Sequence, residues 1–137
     1  MEYSRERMRD LMRAYGEYLA SCDYIYMPDV YKTIVNMPSQ RFWVSESRAA
    51  VVVSAMLRGV ADLDSMCLPK KEMFIEIYRR VMKLREESPE MKIQELCAIV
   101  VEQPAPKFYL APGSAKTMVC KEKRQWQKEK RKKLHLL

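Results

Sequence analysis

The stretch VNMPSQRFWVS at residues 35–45 decides the fold, because residues 101–111 repeat its pattern as VEQPAPKFYLA. The two stretches align without a gap, 66 residues apart. In each, a valine and a proline are followed by a cation, a phenylalanine and a second large aromatic residue. A fixed internal period of this kind indicates one structural unit used twice.

Apolar residues recur at helical spacing ahead of both stretches, which predicts matching helices in the two units. A second, shorter helix is expected over about residues 28–36 and again over about residues 92–102, and Pro38 and Pro104 end these helices. The apolar stripes of the first helices are Met8, Leu11, Met12, Tyr15, Tyr18 and Leu19 in one unit and Phe74, Ile77, Tyr78, Val81 and Leu84 in the other.

A third helix is expected after each aromatic stretch. Ser45 is a suitable N-cap for the first of these helices, and Pro112 suits the first turn of the second. Residues 49–57, AAVVVSAML, are apolar on every side, which predicts a helix buried at the centre of the protein. Residues 114–119 lead instead into a basic stretch, so the second of these helices is expected to turn outward.

These patterns predict an all-α protein, and a content of only 3 glycines in 137 residues favours helix further. We expect a tandem duplication of a three-helix unit about a pseudo-twofold axis. The aromatic connectors RFWV and KFYL are expected to be short extended segments that the symmetry brings together. The expected divisions are a first unit at residues 1–60, a linker at 61–69, a second unit at 70–120 and a basic tail, helical or disordered, at 121–137.

The net charge of +7 is concentrated at the end of the chain. Residues 121–133 contain eight Lys or Arg and two Glu, whereas residues 1–120 contain 17 basic and 16 acidic residues. Clustered cations neutralise phosphates, with an affinity that falls steeply as salt rises. The tail is therefore the primary candidate for nucleic-acid binding, through Lys121, Lys123, Arg124, Trp126, Lys128, Lys130, Arg131, Lys132 and Lys133.

Trp126 lies among these charges and has three interpretations: it stacks on a base, enters a minor groove, or anchors the start of the tail on the body of the protein. Glu129 and Lys133 are spaced as a helix-supporting pair. The alternative for the whole tail is a solubilising or disordered segment without a ligand.

The duplicated connectors supply secondary candidates, because each combines a cation with aromatic rings that suit single-stranded nucleic acid. In the alternative interpretation Phe42 and Phe108 fill the core and their neighbours only support them. The secondary candidates are Arg41, Trp43, Lys107 and Tyr109.

Catalytic and cofactor motifs are absent from the sequence. It contains no glycine-rich phosphate loop, GxSxG or HExxH, and the single histidine, His135, has no plausible orienting partner. The carboxylate pairs Asp62–Asp64 and Glu86–Glu87 are explained as surface charges and helix caps. We expect a protein that is not an enzyme and uses no cofactor.

Four widely spaced cysteines without a CxxC pair make a zinc site improbable and are typical of free thiols in a reduced compartment. The first residues, MEYSRERMRD, lack the apolar core of a signal peptide, and no apolar run approaches the roughly 20 residues that span a bilayer. We expect a soluble cytoplasmic protein that does not bind membranes.

Residues 37–49 (MPSQRFWVSESRA), 71–81 (KEMFIEIYRRV) and 104–109 (PAPKFY) resemble small proteins encoded by Bacteroidetes and by their phages or mobile elements. The shared motif is P-x-x-[RK]-F-[WY]. The resemblance implies a bacterial or phage cytoplasmic setting and supplies no site residues.

The sequence therefore predicts a non-enzymatic nucleic-acid-binding protein that contacts phosphates through its basic tail. The alternative is a protein–protein interaction or assembly module of a phage or mobile element, as a homo-oligomer or with another protein, without nucleic-acid contact. A sequence-specific helix-turn-helix regulator is a further alternative, but the connectors are about twice as long as the turn of that motif. DNA, RNA and an acidic protein all remain open as partners.

Overall fold

The computed structural model describes residues 2–136, and within that range the chain forms six α-helices and no strand. The predicted all-α class is therefore confirmed. The helices are α1 (Glu2–Ser21), α2 (Met27–Ile34), α3 (Glu46–Leu57), α4 (Leu68–Glu87), α5 (Ile93–Val101) and α6 (Pro112–Leu136).

The helices begin at a constant interval. Helices α4, α5 and α6 each start 66 residues after α1, α2 and α3, respectively. Helices α1 and α4 are both 20 residues long. The third pair differs, because α3 has 12 residues and α6 has 25.

Local signals explain where the third helices begin and where α3 ends. The Ser45 side chain accepts a hydrogen bond from the Arg48 backbone N–H at 3.1 Å, as predicted for an N-cap, and α6 begins at Pro112. Helix α3 ends because Gly59 adopts the left-handed region at φ 73°, and the Val60 N–H then donates to the Ala55 carbonyl at 3.0 Å.

The chain divides into two compact units at Met37/Pro38 and at Tyr109/Leu110. Helices α1, α2 and α6 pack together in one unit, which we call the α6 unit. Helices α3, α4 and α5 pack together in the other, the α3 unit, which also contains both connectors. The sequence-based division groups α3 with α1 and α2 at residues 1–60, whereas the packing groups it with α4 and α5.

The core of the α3 unit contains residues from all three helices and from both connectors. Phe42 is fully buried there, together with Val53 of α3 and Ile77 of α4. The predicted burial of α3 on every side is wrong, because Val51 is 60% exposed. The other buried members of this core are Val44, Ala49, Val52, Met73, Phe74, Val81, Leu96, Cys97, Val100, Val101 and Ala105.

In the α6 unit the charged residue Asp10 is buried among apolar ones. Asp10 is 2% exposed and accepts two hydrogen bonds from the Arg13 guanidinium, at 2.7 and 3.0 Å. This pairing compensates the cost of burying the carboxylate. The buried apolar residues are Leu11, Ala14, Tyr15, Val30, Tyr31, Ile34, Val35, Ala115 and Val119.

The two connectors meet at one isolated antiparallel bridge between Ser39 and Ala105, which lie 66 residues apart in the chain. Each backbone N–H donates to the carbonyl of the other residue at 3.1 Å. The buried Ser39 hydroxyl contacts the carbonyls of Arg41 at 2.7 Å and Lys107 at 3.3 Å. The pairing expected for the segments RFWV and KFYL thus occurs at Ser39 and Ala105, three residues before Phe42 and Phe108.

Candidate nucleic-acid interface

The basic segment of the sequence is the second half of α6. Every residue from Arg124 to His135 is exposed, so this part of the helix presents all its sides to solvent. At 1.5 Å per residue, those twelve residues extend about 18 Å. All nine primary candidates lie on α6, and all are exposed except Lys123, which is half-buried.

The helical spacing of α6 places its side chains in two rows that point in different directions. Lys121, Arg124, Lys128 and Arg131 recur at intervals of three and four residues, and therefore form one basic face. Lys132 flanks that face. We call these five residues the basic face of α6.

The second row contains the residues that attach α6 to its unit. Ala115 and Val119 are fully buried, and Lys123 and Trp126 follow them at intervals of four and three residues. Trp126 is 48% exposed and lies on the continuation of this packed row, with Lys130 and Lys133 farther along it.

Polar and aromatic contacts fix α6 against α1 and α2. The Lys123 ammonium lies 4.5 Å from the centroid of the Tyr15 ring and donates a hydrogen bond to the Tyr15 hydroxyl. Tyr15 stacks on Tyr31 with 6.3 Å between ring centroids, and the Tyr31 hydroxyl lies 3.9 Å from the Cys120 sulfur. Burial, with a smaller contribution from Cys120, raises the pKa of Tyr31 to about 12, so its hydroxyl stays neutral at physiological pH.

A groove of about 530 Å³ separates α2 from α6. Lys32 lies on the α2 side, and Lys116 and Lys123 lie on the α6 side. Among the residues that the structure describes, no carboxylate lines this groove. Its other lining residues are Met27, Pro28, Tyr31, Pro112, Gly113 and Cys120. Positively charged lysines beside apolar side chains suit an anionic ligand that also has an apolar face.

The segment that leads into this groove carries four exposed apolar side chains in succession. Tyr24 is 80% exposed, Ile25 45%, Tyr26 55% and Met27 46%. Sequence reasoning missed this segment, whose four large apolar residues, YIYM, run from the loop after α1 into the first residue of α2. Exposed apolar clusters of this kind often mark binding sites.

The connector cations are engaged in contacts within the α3 unit. Arg41 donates to the carbonyls of Phe42 and Val44, each at 3.1 Å, and its guanidinium lies 5.4 Å from the Trp43 ring centroid. The Lys107 ammonium pairs with Glu72 at 2.5 Å. These contacts account for both cations without a ligand.

The connector aromatic residues pack against one another. Phe42 stacks on Tyr109 with 5.9 Å between ring centroids, and the Arg80 guanidinium lies 4.9 Å from the Phe42 centroid. Phe108 is 3% exposed. Burial raises the pKa of Tyr109 to about 12, and its φ of 57° is a left-handed conformation that this packing maintains. The interpretation of Phe42 and Phe108 as buried residues agrees with these positions.

No arrangement for a metal ion is found within residues 2–136, where His, Cys, Asp and Glu form no group of three or more that suits one. Of the carboxylates considered from the sequence, Asp64 accepts a hydrogen bond from Lys71 at 2.9 Å. The four cysteines are free thiols.

Comparisons with protein-family models, with curated proteins and with solved structures find no match for this chain. Within the described range, none of the helices combines the length and the apolar character that a membrane span requires.

Proposed function

We propose that this is a non-enzymatic nucleic-acid-binding protein whose basic α6 face contacts the phosphates. The observation that carries the proposal is the exposure of the second half of α6 on all sides, with cations recurring along one face. Within the described residues, no ion pair is found for Lys121, Lys128 or Arg131. These cations can exchange their counterions for phosphates without first breaking an internal bond.

The connectors are a poorer choice for the phosphate contact. Arg41 and Lys107 already interact with carbonyl groups and with Glu72, and releasing them would cost those hydrogen bonds. The proposed contact therefore uses α6, and Arg41, Trp43, Lys107 and Tyr109 have a structural role.

We also infer that the chain arose by tandem duplication. Three matches at a 66-residue separation support this inference: the helix starts, the buried residues, and the acid–arginine pairs Asp10–Arg13 and Glu76–Arg79. In the second copy of the duplicated unit the third helix is α6, and this helix gained a basic continuation.

A protein–protein assembly module of a phage or mobile element is the second candidate function. The exposed apolar run from Tyr24 to Met27 favours it, because such a run suits a protein partner or a second copy of the chain. Free cysteines support a reduced, cytoplasmic setting for either function.

The test compares two triple variants in which the same amount of charge is removed. One is Lys128→Gln/Arg131→Gln/Lys132→Gln on the basic face. The control, Arg48→Gln/Lys70→Gln/Arg85→Gln, removes three exposed cations from the α3 unit.

Fluorescence anisotropy with labelled duplex DNA, single-stranded DNA and RNA measures the affinities. We expect the α6 variant to bind at least about 10-fold more weakly and the control to stay within about 3-fold of the natural chain. Equal weakening by both variants would assign the effect to net charge and contradict an α6 site. Absence of binding at low salt would end the proposal and leave the assembly function.

A further inference from the structure

We propose that the groove between α2 and α6, together with the exposed segment Tyr24 to Met27 that leads to it, binds unpaired bases of a single-stranded nucleic acid. This inference rests on the proposed function and adds to it a second contact surface and a preference for single strands. Phosphate contacts alone do not distinguish single strands from duplexes, whereas exposed aromatic rings do, because only unpaired bases can stack on them.

Two tyrosine rings in the segment that leads to the groove are exposed to solvent. Tyr24 and Tyr26 are 80% and 55% exposed and precede Met27, which lines the groove. A tyrosine presents a flat apolar face and a polar edge, and stacking on such rings is tolerant of base identity. Exposed aromatic rings beside a cationic groove are the combination that proteins use for single strands.

The groove is also positively charged. Lys32, Lys116 and Lys123 provide three cations around it, and among the described residues no carboxylate lines it. Tyr31 adds no charge, because a tyrosine hydroxyl is neutral at physiological pH. An apolar protein segment would gain nothing from three desolvated lysines, whereas a nucleotide offers an apolar face for the floor and a phosphate for the rim.

Cations also continue along the side of α6 that lines the groove. Lys116, Cys120 and Lys123 are separated by four and three residues, and the same spacing continues to Gln127 and Lys130. A strand leaving the groove along this side of α6 would meet Lys130, roughly 10 Å beyond Lys123. The volume of about 530 Å³ is in the range of sites that hold small organic ligands.

The test uses the full chain, a labelled oligothymidine of about 20 nucleotides, and a duplex of the same length. For Tyr24→Ala/Tyr26→Ala we expect single-strand affinity to fall roughly 10-fold to 100-fold, with duplex affinity within about 3-fold of the natural chain. Tyr24→Phe/Tyr26→Phe should retain single-strand binding, because stacking does not need the hydroxyl. Val60→Ala/Leu68→Ala, at two exposed apolar residues of the α3 unit, is the matched control and should change nothing.

A second measurement requires no substitution. Cys120 lines the groove, Cys67 is exposed in the α3 unit, and burial raises the pKa of Cys97 to about 11. Bound oligothymidine should slow maleimide alkylation of Cys120 and leave the rate at Cys67 unchanged, with Cys97 unreactive throughout. Mass spectrometry assigns the modified cysteine.

The outcomes separate the two proposals. If the chain binds DNA but the double alanine variant binds single strands normally and Cys120 is not protected, the groove inference is overturned and the α6 proposal stands. If neither single strands nor duplexes bind, the nucleic-acid function fails with it. If the alanine variant instead converts an oligomer into a monomer by light scattering without changing DNA affinity, the segment contacts a second copy of the chain, and the inference is wrong.

Discussion

Helices α3 and α6 begin 66 residues apart and bury an alanine and a valine at matching positions: Ala49 and Val53 in α3, Ala115 and Val119 in α6, all with no exposure. After the valine the helices differ. Helix α3 ends at Leu57, before a left-handed Gly59, whereas α6 has no glycine at the matching position and continues to Leu136. The buried residues therefore fix how each helix attaches, and the residues that follow determine what it presents to solvent.

The largest effect should come from placing a charge at the matching valines. Val53→Asp and Val119→Asp each bury an unpaired carboxylate, and each should lower the free energy of unfolding by about 4 kcal/mol or more. Val51→Asp is the control within α3, because Val51 is 60% exposed, and it should change stability by less than about 0.5 kcal/mol. Urea titrations followed by circular dichroism measure all three. Tolerance of Val119→Asp would contradict the attachment of α6 through this residue.

A smaller effect is expected at Arg80, a half-buried cation of the α3 unit that has no polar counterpart in the α6 unit. Arg80 donates to Glu76 at 3.1 Å and to the Pro104 carbonyl at 3.0 Å, and it stacks on Phe42. Its match 66 residues earlier is the fully buried Ala14. Arg80→Ala should cost about 2 kcal/mol, because it leaves the Pro104 carbonyl and Glu76 without these donors.

Arg80→Lys should recover less than half of that stability, since an ammonium cannot stack and donate in several directions as a guanidinium does. Full recovery with lysine, measured by the same urea titrations, would show that charge alone is needed at this position.

The fold illustrates which features local rules reveal. The starts of α2, α3, α5 and α6 follow from short-range signals such as Ser45 and Pro112, so the sequence predicts them within a few residues. For the tail the sequence leaves helix and disorder open, whereas α6 continues through it to Leu136. Contacts between residues distant in the chain determine whether α3 packs with α1 and α2 or with α4 and α5. The periodicity of the sequence contains no information about such contacts. The same limit explains Val51, whose apolar neighbours suggest burial although it is exposed.

The sequence predicts the candidate site only in part. The charge count identifies the tail, but the groove forms only when Lys32 of α2 and Lys116 of α6 come together, 84 residues apart in the chain. The exposure of Tyr24 and Tyr26 is likewise a tertiary property. The available signal for it is the run of four large apolar residues that ends at the first residue of α2.

An effect of intermediate size on stability is expected at the bridge between the two connectors. Ser39 contacts two carbonyls through its hydroxyl, whereas its match, Ala105, has no hydroxyl. Ser39→Ala should cost about 1 kcal/mol, since it removes the hydroxyl and leaves the backbone bridge intact. Thermal unfolding by circular dichroism measures the change. A neutral result would mean that the backbone hydrogen bonds alone hold the connectors together.

The smallest effect concerns pH. The hydrogen bond from Arg79, opposed by burial and assisted by Arg80, holds the pKa of Glu76 below its usual value. A lowered folded-state pKa stabilises the fold above the unfolded-state value of about 4.3, and this stabilisation is lost as pH falls through the folded-state pKa. Glu76→Gln should therefore cost about 1 kcal/mol or less at pH 7, and the difference from the natural chain should shrink as pH falls below about 4. A difference independent of pH would contradict an ionic role for Glu76.

The most direct measurement of the central claim is the salt dependence of binding to duplex DNA. For the natural chain, the logarithm of the association constant should fall linearly with the logarithm of the salt concentration. For Lys128→Gln/Arg131→Gln/Lys132→Gln, the slope should be smaller in magnitude by about 0.9 for each phosphate that the variant no longer neutralises. An unchanged slope in this variant would contradict phosphate contacts by the basic face of α6.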